Sequence, residues 1–190
     1  MAIEVKPFLT PDLVESMIRT GELNSDDMFE VVNGEIIWLA PALNRHGMIC
    51  TLIIGELVPF ARSIGATMAD GQTGFWVGER QQQLRSPDVA LVSKERSDIL
   101  REDGFNRGAP DLAVEVLSKD QFGAAYAQGK QAEYFAAGAR VVWLVDPANG
   151  SVREHFANET EYRIYRGDAE ITLDAIAPGF RCPVSRFFEF

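Results

Sequence analysis

Two short apolar runs flank one amphipathic segment between Pro110 and Pro147, PDLAVEVLSKDQFGAAYAQGKQAEYFAAGARVVWLVDP. Leu112 to Leu117 is apolar except for Glu115, and Val141 to Val145 carries no charge. The intervening segment has helical character and closes at Gly138. This pattern predicts a βαβ crossover with parallel, buried strands. Glu115 then stands in the middle of a buried strand. An unpaired carboxylate there costs on the order of several kcal/mol, so it calls for a metal or a lysine. Upstream, Ser86-Pro87-Asp88-Val89-Ala90-Leu91-Val92 repeats the arrangement, with Asp88 heading another apolar run.

The remaining pattern supplies the other elements. Thr10 and Pro11 open a short helix as N-cap and N1; Leu13, Val14, Met17 and Ile18 form its stripe, and Gly21 ends it. Phe29 to Leu39 reads as a hairpin about Asn33-Gly34, with Glu30 facing Ile37 and Val31 facing Ile36. Phe29, Val31, Ile36 and Trp38 share its apolar face, which leaves Glu30 on the mixed face as a solvated strand residue. Asn44 to Phe60 repeats Ile49, Leu52, Ile53, Leu57 and Phe60 at helical spacing. His46 in its first turn reads as a packed, satisfied histidine, and Glu56 as an edge residue with its head in water. Gln72 to Gly78 reads as a strand, Glu79 to Arg85 as a polar surface turn, and Ser93 to Ala109 as a loop or short helix over the site. A late hairpin joins Val152–Ala157 to Glu161–Tyr165, with His155 at its surface. A short strand from Ile171 and a Phe187-Phe188 anchor complete the chain.

Composition narrows the class. The 190 residues are enough for one domain, 1–190, with a sizeable core. A net charge of −10 disfavours broad nucleic-acid binding and restricts any such contact to a local groove. Cys50 and Cys182 match no zinc or redox spacing and read as free thiols of a reducing cytosol. The opening MAIEVKPF lacks the apolar run of a signal peptide, and no stretch reaches transmembrane length, so a cytoplasmic protein without membrane contact is expected.

Strand parity places Asp88 with Ala90 and Val92, and Glu115 with Asp111, Ala113 and Leu117. If the strands pair, the two carboxylates converge on one spot, a site for magnesium or manganese. Tyr126, Lys130 and Tyr134 form one stripe of the crossover helix, which can lie over Glu115. Lys130 could then serve water or phosphate. The competing reading pairs Lys130 with Glu133 on a wet helix face.

These pieces in order, Ser86-Pro87-Asp88, Glu115-Val116-Leu117-Ser118, Lys130, Tyr134 and Gly138 to Pro147, resemble the Uma family. Its members are bacterial proteins classed as endonucleases of the PD-(D/E)XK restriction-endonuclease-like superfamily. The similarity runs from about Phe29 to about Tyr165. It implies an α/β restriction-endonuclease-like core, a mixed β-sheet flanked by helices with an N-terminal hairpin. It also implies Asp88 and Glu115 as metal ligands for magnesium or manganese, Lys130 as the third catalytic residue, and Glu30 and Tyr134 as accessory. The superfamily's usual lysine position is occupied by Leu117, a departure that the helix-borne Lys130 answers. The implied activity is metal-dependent phosphodiester hydrolysis, chiefly of DNA, by a possible homodimer. Two alternatives stand beside it: a non-catalytic module that keeps the fold to bind nucleic acid or protein, and a hydrolase of small phosphorylated molecules.

Overall fold

In the computed structural model, which describes residues 7–118 and 124–190, the crossover is the centre of a mixed sheet. Of residues 124–128 only the backbone is described. Strand β8 (Leu112–Val116) leads to a helix over Ala124–Ala136 and back to β9 (Val141–Asp146), parallel to β8, with Glu115 paired to Leu144. Both strands are buried throughout, as the near-continuous apolar runs around Glu115 and before Asp146 lead one to expect of strands covered on two faces. Among the described residues, this sheet has the order β11-β10-β9-β8-β6-β3. Its other members are β3 (Thr67–Asp70), β6 (Val89–Val92), β10 (Ser151–Phe156) and β11 (Tyr162–Arg166), joined by antiparallel pairings.

Residue parity divides the sheet into two faces. Val89, Leu91, Leu112, Val114, Val116, Val141, Trp143 and Val145 pack against Ile49, Ile53, Leu57 and Phe60 of a 20-residue helix, Asn44–Ser63. The alternate residues Ala90, Val92, Ala113, Leu117, Val142 and Leu144 meet Tyr134 of the crossover helix and Phe75 and Val77. We call the helices α1 (Pro11–Thr20), α2 (Asn44–Ser63) and α3 (Ala124–Ala136). Glu115 shares the second face, so it lies under α3.

A second sheet, β2-β1-β5-β4-β7, closes over that face. It is built from β1 (Phe29–Val32), β2 (Glu35–Trp38), β4 (Phe75–Val77), β5 (Gln83–Arg85) and β7 (Asn106–Arg107). The β1–β2 register is the expected one, with Glu30 opposite Ile37. Asn33 and Gly34 take φ of 51° and 78°, the two positive angles a type I′ turn needs. Helix α1 is capped by Thr10, whose Oγ1 accepts from the Leu13 amide at 3.4 Å, and ends at Gly21 with φ 80°. Its Val14 packs with Phe29, Val31, Trp76 and Leu84.

Three local expectations are corrected. Glu79 to Arg85 is not wholly a surface turn: its last residues form β5, the middle strand, with Leu84 and Arg85 buried. Three residues are too few to show strand periodicity, and the polar ones are there to make ion pairs. The segment after β6 does not cover Glu115. Its 3₁₀ helix, Lys94–Ile99, sends Arg96 to Asp111 at 3.4 Å, at the start of β8 and about 13 Å along the strand from Glu115. Glu56 does not simply hold its head in water; it binds Arg186 at 2.7 Å. The C-terminal anchor does form, with Phe187 fully buried.

Candidate active site

Glu115 is 6% exposed, and both its oxygens are engaged. Lys130 Nζ lies 3.0 Å from Oε2, and the Tyr134 hydroxyl donates to Oε1 at 2.6 Å. The i, i+4 spacing puts this ammonium and this phenol on one stripe of α3, directly above the strand. Tyr126, the third member of that stripe, lies outside the residues whose side chains are described.

Glu30 is not solvated. It is 2% exposed, and its Oε1 lies 3.1 Å from Lys130 Nζ. Its Oε2 accepts from Arg85 Nη1 at 2.7 Å, and the Ser86 amide donates to Oε1 at 3.3 Å. Arg85 in turn grips Glu133 of α3 by Nε at 2.7 Å and Nη2 at 3.0 Å. The expected alternative, Lys130 paired with Glu133 on a wet face, is thereby overturned: Glu133 belongs to Arg85, and Lys130 to two buried acids. The chain of contacts, Glu133–Arg85–Glu30–Lys130–Glu115, ties the second sheet to the crossover unit.

Burial is the largest influence on both acids and pushes both carboxyl groups up. Glu30 nevertheless ends below the usual carboxylate range, because Lys130 and Arg85 both face it. Glu115 stays raised: Lys130 opposes its burial, while the charges of Asp88 and Glu30 reinforce it. Burial also raises the Tyr134 phenol well above its ordinary value, helped by Glu115, so Tyr134 is a donor at neutral pH.

Asp88 immediately precedes β6, whose pairing of Val89 with Val114 sets Asp88 level with Glu115 when extended by one residue. Its Oδ2 accepts from the Val116 amide at 2.6 Å and from His46 Nε2 at 3.2 Å. His46, in the first turn of α2, turns its other ring nitrogen to Cys50 Sγ at 3.6 Å. The bonds to Asp88 and then to Cys50 raise its pKa to about 10, against a lesser opposing effect of burial. His46 is therefore a satisfied histidine, as the pattern predicted, but its partner is a candidate site acid. His155 lies elsewhere on β10, half-buried, its ring 5.0 Å from that of Tyr162.

The structure thus brings Glu30, Lys130, Tyr134 and Glu115 into direct contact and sets Asp88 beside Glu115. Sequence reasoning missed Arg85, offered Glu133 only as a surface partner of Lys130, and gave no site role to His46 or Cys50. One signal was available: a buried Glu30 needs a cation, and Arg85 abuts Ser86-Pro87-Asp88. Four carboxylates here, Asp88, Glu115, Glu30 and Glu133, meet two permanent cations, Arg85 and Lys130, with a third charge from His46 when protonated. The excess is negative and the donors are oxygens, so the residues fit a hard divalent cation. Carboxylate oxygens that already accept one hydrogen bond keep a second lone pair for it.

Residues 14–185 match the model of the Uma2 family, described as "Putative restriction endonuclease". Among solved structures, the chain resembles a protein described as a "putative nuclease belonging to DUF820" from Anabaena variabilis ATCC 29413. The TM-score is 0.71 at 20% identity, over 86% of this chain and 90% of that one, a likeness of fold. No curated protein matches. The mixed sheet flanked by helices is a restriction-endonuclease-like fold, and with nearly the whole length matched the chain belongs to the Uma2 family.

Proposed function

We propose that this protein is a metal-dependent endonuclease that hydrolyses phosphodiester bonds in DNA. One observation carries the reading: a buried lysine amine lies 3.1 Å from Glu30 and 3.0 Å from Glu115, the acid level with Asp88 on the neighbouring strand. Asp88 and Glu115 would hold magnesium or manganese. When bound, such an ion acts as a Lewis acid for a phosphoryl oxygen and acidifies water. Lys130, an ammonium flanked by two carboxylates, serves as a charge and a hydrogen-bond donor, orienting water or stabilising charge on the phosphate. Tyr134 fixes the Glu115 carboxylate by one short hydrogen bond. Glu30 holds the amine from the opposite side and is itself held by Arg85. The catalytic residues are Asp88, Glu115 and Lys130; Glu30 and Tyr134 are accessory.

With a net charge of −10, DNA contact falls to a small local surface. A two-fold dimer of a single domain spanning 1–190, acting in the cytoplasm, suits cutting of both strands. The test is cleavage of single-stranded DNA, double-stranded DNA and RNA, and of small phosphate esters, with magnesium or manganese. Glu115→Ala serves as control. Ion-dependent DNA cleavage that Glu115→Ala abolishes is expected. Cleavage of small esters alone would make it a small-molecule phosphohydrolase. Metal binding without any cleavage would mark a binding module that keeps the nuclease fold.

A further inference from the structure

Beside the acids lies a second constellation of different chemistry. His46 and Cys50 are one helical turn apart on α2, with His46 Nδ1 and Cys50 Sγ 3.6 Å apart. Asp88 Oδ2 lies 3.2 Å from the other ring nitrogen. One donor atom from each of the three residues falls within 4.8 Å of the other two. All three residues are partly buried yet open to solvent, with the His46 and Asp88 side chains 23% and 21% exposed, so an ion can reach them.

The donor set is not that of a magnesium site. Thiolate sulfur and imidazole nitrogen select zinc and its neighbours, whereas oxygen-only sets suit magnesium and manganese. Zinc bonds of about 2.3 Å to sulfur and 2.0–2.1 Å to nitrogen, at the tetrahedral angle, put those atoms roughly 3.5 Å apart. The His46–Cys50 separation of 3.6 Å therefore already matches one edge of such a site. The three donor atoms lie within 4.8 Å of one another, so side-chain shifts of at most about an ångström bring them to the roughly 3.3–3.6 Å that the same geometry asks for. An ion takes one ring nitrogen, so one of the two contacts His46 now makes opens as the ion enters, and the imidazolium and the Cys50 thiol each release a proton to solvent. Water completes the coordination.

We propose that Cys50, His46 and Asp88 form a binding site for zinc or a similar thiophilic divalent ion. The site is distinct from the hard-cation pair but shares Asp88 with it. An ion held there occupies the carboxylate that the proposed hard-cation pair also needs, so zinc would oppose magnesium. The binding itself stands whether or not the chain cuts DNA.

Cobalt(II) replaces zinc and reports sulfur ligation through a thiolate-to-cobalt charge-transfer band in the near ultraviolet. The full chain titrated with cobalt should show this band and lose it on adding zinc. The band should vanish in Cys50→Ser and His46→Ala, and persist in Cys182→Ser, the other free thiol. Asp88→Asn should weaken cobalt binding by roughly 10- to 100-fold. Glu115→Gln should retain the band, which separates this site from the proposed hard-cation pair. Should Cys50→Ser fail to fold, alkylation of the native protein decides: zinc should slow modification of Cys50 but not that of Cys182. No band in the native chain, a band that survives in folded Cys50→Ser, or equal alkylation of Cys50 with and without zinc would overturn the proposal.

Discussion

Removing the Lys130 amine should cost far more than a surface ion pair and should disable the site at once. In Lys130→Ala two buried carboxylates, at 3.0 and 3.1 Å from Nζ, lose a shared cation. Each contact is worth roughly 5 kcal/mol of Coulomb attraction at an effective dielectric of about 20. Desolvation of the ammonium, several kcal/mol on the usual scale, is recovered when it goes. Breaking one side of a buried pair typically costs about 3–5 kcal/mol. Here the loss is softened, because Glu30 keeps Arg85 at 2.7 Å and Glu115 keeps the Tyr134 hydroxyl at 2.6 Å. The expected net loss is therefore about 2–4 kcal/mol.

Urea denaturation of wild type, Lys130→Ala and Lys130→Met measures it. Methionine keeps most of the aliphatic stem, so a similar loss in both variants assigns the effect to charge and not to packing. Magnesium should then restore part of the deficit, since the carboxylates attract a divalent ion more strongly without the ammonium. Saturation at about 100 times Kd returns roughly 2.7 kcal/mol. Turnover should fall by about 10²-fold or more, the scale of a lost electrostatic or acid–base group. A loss below about 1 kcal/mol, the range of an exposed pair, together with intact turnover, would refute the reasoning.

Arg85→Ala should destabilise by about 3–5 kcal/mol, because Glu30 and Glu133 lose a guanidinium that bonds them through all three nitrogens, and Arg85→Lys should recover less than half in denaturant titration. Full rescue by lysine would show that point charge alone suffices. Gly34 turns at φ 78° beneath the Phe8 ring, so Gly34→Ala should cost about 1–2 kcal/mol, read as a lower denaturation midpoint; an unchanged midpoint would mean that the turn relaxes freely. Burial, and then Arg153, depress the His155 pKa from 6.5 to about 4. A depressed folded pKa means stability is full above pH 6.5 and drains away as pH falls toward about 4. With the ring only half-buried, the loss should be on the order of 1 kcal/mol. His155→Phe should abolish that part of the acid sensitivity, and identical profiles for the two proteins would exclude His155 as its source.

Much of the fold was legible because burial leaves a mark on composition. Leu112 to Val116, apart from Glu115, and Val141 to Val145 are buried on both faces and read as apolar runs; Asn33-Gly34 set the hairpin register residue by residue. The strand Gln83–Arg85 left no such mark, because its polar residues are satisfied by groups distant in sequence. Glu30 and Arg85 are 55 residues apart, and Arg85 and Glu133 are 48 apart. Each alone looks like a surface charge. Their burial follows only once the second sheet closes over α3, a long-range event that no window of sequence contains. His46 and Cys50 are visible as i, i+4 neighbours, but their convergence on Asp88 depends on how α2 seats against the sheet.

The displaced lysine shows which part of such a site is fixed and which is free. Residue 117 shares the strand face of Glu115, but Leu117 is 4% exposed and packs with Tyr134, Val142 and Leu144. A lysine there would have to thread that cluster to reach the carboxylate. What the buried Glu115 requires is a positive charge within hydrogen-bonding reach, and that requirement names no sequence position. The crossover lays α3 over its own strand, so a helix residue reaches Glu115 as readily as a strand residue does. Lys130 meets the need from above, and the same helix supplies Tyr134 one turn on and Glu133 for Arg85. The move also gives the amine a second partner: from the helix it faces β1 of the other sheet and meets Glu30. A strand-borne amine at residue 117 would satisfy Glu115 yet leave Glu30 with Arg85 alone. Leu117→Lys in a Lys130→Ala background should therefore restore charge at Glu115 but not the full stability, and recovery of both would show that the Glu30 contact carries no weight.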